Sequence, residues 1–90
     1  MDVTWDPAKA RANLHKHGVR FSDAEPVLFD TCALSMEDKD ARGEQRFVAI
    51  GHDALDRVLV VAYVYRGDDI RLISARRATR KEIRTYEEGI

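Results

Sequence analysis

The eight residues Val58-Leu59-Val60-Val61-Ala62-Tyr63-Val64-Tyr65 constrain this chain more than any other segment. A strand that is apolar at successive positions is apolar on both faces, because side chains alternate across the sheet. Such a strand must be covered on both sides, so it belongs at the centre of a sheet with further structure above and below it. The chain has 90 residues, 44% of them hydrophobic and 34% charged. That is enough for one core and too little for a second, so residues 1–90 are expected to form a single domain. The apolar run is also too short for a membrane helix. Met1 is not followed by a charged and then apolar leader, and the lone Cys32 has no partner for an internal disulfide. A stapled secreted scaffold is thereby disfavoured, and a cytoplasmic location is expected.

Around that strand the extended segments Ala33 to Met36, Gln45 to Gly51 and Ile70 to Ala75 are rich in aliphatic and β-branched residues. Arg66-Gly67-Asp68-Asp69 marks a tight hairpin. Simple alternation sends Arg71 and Arg76 to opposite faces, since they are an odd number of positions apart. Helices are expected on either side of this block. Asp6-Pro7 is a helix-starting pair, and Gly18 suits the left-handed residue after a helix ending at His17. Ser22 and Glu25 have capping-box spacing for a second short helix toward Phe29, with Pro26 blurring its start. Thr79-Arg80-Lys81-Glu82 is another capping box, opening a final helix to about Glu88 before Gly89. Val3-Thr4-Trp5 suits a short edge strand. The fold class expected is α+β: an N-terminal strand and two helices packed on a four-stranded antiparallel meander, with a C-terminal helix.

Net charge is −1, which by itself points to no polyanion. The distribution says more. Residues 1–41 carry five basic and eight acidic side chains, net −3, whereas residues 42–86 carry ten basic and six acidic, net +4. Eleven of the fifteen basic residues are Arg, whose planar guanidinium binds phosphate bidentately. A solvated basic face explains such a bias equally well.

Individual residues carry competing readings. His15 and His17 point roughly 200° apart on a helix and cannot share a metal. Adding Cys32 and His52 yields no recognised zinc spacing, so no metal or other cofactor is expected, and Cys32 is expected to be a small buried hydrophobe. His17 suits proton transfer near neutrality, or equally a cation at a helix C-terminus. Glu44 and Arg46 share a strand face, as an ordinary ion pair or as parts of a site. Cutting RNA without a metal requires a base for the 2′-hydroxyl proton, cations for the phosphorane charge and an acid for the 5′-oxygen. Glu44 or His17 fits either proton-transfer role, and Arg46, Arg71, Arg76 and Arg77 fit the charge. Tyr86 fits base stacking or proton donation, or the docking of the last helix onto the sheet. No phosphate-cradling glycine loop, nucleophile elbow or paired-cysteine motif is present.

The order of motifs adds a resemblance. Trp5-Asp6-Pro7-x-Lys9-x3-Asn13-x2-Lys16-His17-Gly18-Val19-x-Phe21, then Gly43-Glu44-x-Arg46-x3-Ile50-Gly51, then Ile70-Arg71-x-Ile73-Ser74-Ala75-Arg76-x-Ala78-Thr79-x2-Glu82-x3-Tyr86 resembles the BrnT family of type II toxins over nearly the whole chain. The resemblance implies a RelE-like fold and a ribonuclease that halts translation. It also implies neutralisation by a BrnA-like antitoxin with a ribbon-helix-helix domain, in a hetero-oligomer of two toxins and two antitoxins that reaches DNA only through the antitoxin. The matching positions imply His17, Glu44, Arg46, Arg76 and Tyr86 as catalytic residues. Lys16 and Arg71, with Arg77 and Arg80 nearby, are the expected RNA-phosphate contacts. The alternative is a non-catalytic partner-binding subunit of an autoregulatory DNA-binding complex; a structural dimerisation module has only the small core in its favour.

Overall fold

In the computed structural model, which describes residues 1–89, the apolar run becomes the central strand of a mixed sheet. The elements in chain order are β1 (Val3–Thr4), α1 (Pro7–His17), α2 (Phe21–Ala24), a 3-10 turn (Glu25–Phe29), β2 (Leu34–Asp38), β3 (Arg46–His52), β4 (Val58–Arg66), β5 (Asp69–Arg77) and α3 (Arg80–Glu88). The strand order is β1-β5-β4-β3-β2, all neighbours antiparallel except β1, which runs parallel to β5. The expected α+β class and the antiparallel meander β2-β3-β4-β5 form, but the RelE-like description and the strand count are corrected: β1 joins the same sheet as a fifth, parallel strand, so the sheet is mixed. The cause is local, since β1 pairs only with Ile70 and Arg71 and is too short for its sequence to reveal its place in the sheet.

Both faces of β4 are covered, by different means. On one, Val19 after α1, Phe21 of α2 and Val27 of the 3-10 turn pack against Leu59, Val61, Tyr63 and Leu72. Leu59 and Leu72 are fully buried there, each worth about 1.5–3 kcal/mol. On the other, Tyr86 of α3 packs against Ile50 and Val60. This second layer is small, and it does not extend to Val64 near the hairpin end of β4.

The caps form as their residue types dictate. The Asp6 carboxylate accepts from the Ala8 N–H, and Gly18 adopts φ 70° after His17. Thr79 and Glu82 form a reciprocal capping box. Gly67 takes φ 60° at the first central position of the β4–β5 hairpin, where a primed turn needs glycine. The Ser22–Glu25 capping box does not form. The helix instead starts at Phe21 with Arg20 as an N-cap that makes no side-chain bond, because Phe21 and Ala24 turn into the core. Cys32 is exposed in the turn before β2, not buried.

Two devices organise β5. Beyond Arg71 its outer edge has no strand, and the buried Asn13 of α1 takes over: its Nδ2 donates to the Ala75 carbonyl at 2.9 Å and to the Val19 carbonyl at 3.0 Å, while its Oδ1 accepts from the Ala75 N–H at 3.0 Å. One amide thus caps an open sheet edge and ties the helix to it. The second device is a bulge. Ala62 pairs with Ser74 but Tyr63 pairs with Leu72, so Ile73 is an extra residue in β5. Alternation shifts by one across it, which puts Arg71 (opposite Val64) and Arg76 (opposite Val60) on the same face, the face that α3 partly covers. The expected opposite placement of these arginines is thereby overturned.

Candidate nucleic-acid interface

The sheet face that α3 covers only in part presents rows of side chains set by strand register. Arg46 opens β3 opposite Asp38; one step beyond the Phe47–Tyr63 pair it flanks Val64, which has Arg71 on its other side. Val64 is only 2% exposed although it lies outside the cluster under α3. Among the described residues no carboxylate lies within salt-bridge distance of Arg46 or Arg71. The Arg46 Nε is buried without a hydrogen-bond partner. An unsatisfied buried donor costs about 1–3 kcal/mol.

Arg76 differs. Its Nη1 and Nη2 donate to the two Glu82 oxygens at 2.9 Å each, so α3 itself supplies a carboxylate to this guanidinium. Those hydrogen bonds, opposed by burial and aided by the Thr79 cap, hold the Glu82 carboxyl down to about 2. Glu44 precedes β3 and pairs with Arg66 near the β4–β5 hairpin rather than with Arg46. It lies in the loop before β3 and so does not share a strand face with Arg46 as expected; its partner Arg66, two residues after Val64 in β4, places it at the hairpin end of the arginine face.

Lys16 and His17 end α1 and border a cavity of ≈ 240 Å³ against Ile73 and Ser74, beside the open edge of β5. Ser74 also belongs to the arginine face, opposite Ala62, so the two groups adjoin at the bulge. Arg77 pairs opposite Leu59 and is exposed on the other face, while Arg80 is exposed at the start of α3. The structure thus brings together Arg46, Arg71, Arg76 and Glu44, sets Lys16 and His17 at the adjoining edge, and separates Arg77.

Tyr86 makes its contacts away from the arginine row. Its hydroxyl donates to Asp30 Oδ2 at 2.6 Å and lies 2.8 Å from His52 Nδ1. Asp30 Oδ2 also accepts from the His52 N–H, and Asp30 Oδ1 from the Cys32 N–H. Burial, then the Asp30 hydrogen bond and charge, push the Tyr86 phenol up to about 12. Burial alone raises the Asp30 carboxyl, but the hydrogen bonds from His52, Tyr86 and Cys32, with the His52 charge, hold it below the usual carboxylate range. The hydroxyl thus links α3 to Asp30 and to His52 of β3, the contacts that the docking reading of Tyr86 requires. Asp30 and Asn13 escape sequence reasoning. Asn13 carried one signal, a polar residue on the inward stripe Ala10-Asn13-Leu14 of α1; Asp30 carried only its place before a turn.

The sequence model for the ribonuclease toxin BrnT of type II toxin-antitoxin systems matches residues 5–82. Among solved structures, the crystal structure of the Brucella abortus ribonuclease toxin BrnT is similar at 29% identity and a TM-score of 0.71, covering 89% of this chain and 99% of that one. No curated protein sequence matches the chain.

Proposed function

Because the chain belongs to the BrnT family of ribonuclease toxins of type II toxin-antitoxin systems, we propose that the arginine face of the sheet is where it holds and cleaves RNA. The observation that carries this reading is the bulge at Ile73, which gathers Arg71 and Arg76 on the face of Arg46. The scissile phosphate sits over the Arg46–Val64–Arg71 row, where two guanidiniums without carboxylate partners meet the charge that develops on the phosphorane. Arg76, held in place by Glu82, borders the same charge from the row under α3. Glu44 and His17 flank the face from opposite sides and divide the two proton transfers: one takes the 2′-hydroxyl proton and the other returns a proton to the leaving 5′-oxygen. No metal enters this sequence of steps, and the products are a 2′,3′-cyclic phosphate and a free 5′-hydroxyl. Tyr86 acts through position, by anchoring α3 and with it Glu82. Arg80 at the start of α3 and Arg77 on the reverse face lie outside this centre.

The family implies an antitoxin. We assign it the same cationic face, covered by an acidic segment of a BrnA-like ribbon-helix-helix protein in a two-plus-two assembly, with DNA bound by the antitoxin and the toxin acting in the cytoplasm.

The test uses purified, antitoxin-free protein. RNA should be cut in EDTA to cyclic-phosphate ends, and Arg46→Ala or Arg71→Ala should each lower the rate by about 10²–10³-fold with an unchanged circular-dichroism spectrum. Cleavage that needs a divalent ion, or that survives both substitutions, refutes the mechanism. Intact RNA with folded protein favours the non-catalytic subunit.

A further inference from the structure

We propose that the cavity between α1 and the bulge of β5 is a second phosphate subsite, taking the backbone phosphate next to the scissile one as single-stranded RNA passes around the sheet edge. This rests on the assignment of the arginine face to RNA. The cavity, ≈ 240 Å³, is lined by Lys9, Lys16 and His17 of α1, and by Ser74 of β5. No acidic residue lines it, and among the described residues neither lysine has a carboxylate within salt-bridge distance.

Helix stability does not account for this arrangement. Lys16 and His17 lie in the last turn of α1, where a cation is favoured by the helix dipole. Lys9 lies in the first turn, where the dipole favours an acid; the Asp6 carboxylate three residues before it is bonded to the Ala8 N–H and is not within salt-bridge distance of Lys9. A lysine at the unfavourable end, lining the same cavity as Lys16, is accounted for by a shared anion. The Asn13 amide does not compete for that anion, since its donors and acceptor are taken by Val19 and Ala75. The volume suits one phosphate with its water. It also connects to the proposed cleavage face, because Ser74 lines the cavity and stands in the row between Arg71 and Arg76. The strand edge is passable here: β1 stops at the Thr4–Arg71 pair, so no further strand blocks the route between the two sites.

A length-dependent salt effect distinguishes the subsite from the cleavage face. Fluorescent, uncleavable 2′-O-methyl oligonucleotides of two and six nucleotides are titrated with wild type, the double variant Lys9→Ala/Lys16→Ala and the control Lys39→Ala, across about 50–200 mM salt. For the hexanucleotide, the slope of log affinity against log salt should be shallower by about 0.7 in the double variant, the loss of one phosphate contact on a single strand. The control should match wild type, and the dinucleotide, which has one internal phosphate, should not distinguish the variants. Alanine favours a helix, so folding of the double variant is retained. A hexanucleotide slope equal to wild type overturns the subsite while leaving the arginine face intact, and directs attention to an acidic protein segment as the ligand of these lysines. Failure of wild type to bind either oligonucleotide overturns the RNA assignment as a whole, and this subsite with it.

Discussion

Replacing Tyr86 by Phe separates anchoring from chemistry with the loss of one oxygen atom. The ring keeps its packing against Ile50 and Val60, so the change in stability reports the hydroxyl alone. Asp30 Oδ2 loses a 2.6 Å donor while retaining the His52 N–H, and His52 Nδ1 loses its 2.8 Å partner. The His52 side chain is 43% exposed, so water replaces that contact, whereas Asp30, at 14%, is poorly placed to recruit one. The expected cost is therefore about 1–2 kcal/mol, which in a domain of this size lowers Tm by roughly 5–15 °C. Thermal unfolding followed by circular dichroism reads it directly. The same variant has a signature at high pH. A phenol ordinarily near 10.0 but held to about 12 when folded contributes stability that is present below 10 and is lost as pH rises toward 12, so the Tyr86→Phe variant lacks that part of the alkaline decline. Below the new Tm, cleavage should continue, lowered only through the looser seat of α3 and Glu82. A variant as stable as wild type but without ribonuclease activity refutes the anchoring argument and returns Tyr86 to the chemistry.

Two further outcomes follow from polar groups that the fold ties down. Asn13→Leu leaves the Ala75 N–H, the Ala75 carbonyl and the Val19 carbonyl without their partner, so it should destabilise the fold by more than about 2 kcal/mol, measured as a lower urea midpoint; a midpoint unchanged from wild type sinks the edge-capping role. In acid, Glu82 and Asp30 both have folded values below their unfolded ones, so the unfolded chain takes up protons first and stability falls with pH. The Glu82 contribution is complete above about 4.5 and drains away toward about 2, so the denaturant midpoint should be lower at pH 3 than at pH 7. Glu82→Gln, which preserves capping-box chemistry, should flatten that dependence, and an equally steep decline in the variant contradicts it.

Much of this architecture is legible in the sequence because it depends on short-range chemistry. Asp6-Pro7, Gly18 and the Thr79–Glu82 box each act over a few residues, and each forms as its residue types predict. The two-sided apolar run identifies β4 for the same reason. What escapes is decided by partners distant in the chain. The parallel β1–β5 pairing joins segments more than sixty residues apart through two residues of strand. Ser22 and Glu25 have cap spacing, but Phe21 goes into the core and carries the helix start with it. Glu44 sits near Arg46 in sequence and pairs with Arg66, because the hairpin end of β4 comes to it. Ile73 is apolar within an apolar strand, and nothing about its side chain marks it as the residue that drops out of register.

That extra residue makes the number of amino acids in β5 a property of the site as much as of the fold. Were Ile73 kept but drawn into regular pairing, no charge would change, yet Arg71 and Arg76 would part by the full thickness of the sheet. Were Ile73 deleted instead, the strand could pair regularly and still show both arginines on one face, because an even separation then takes the place of the bulge. A related chain with its two arginines one residue closer together can thus build the same surface without the irregularity. For proteins built this way, the separation of two side chains in the sequence has meaning only together with the register of the strand that carries them.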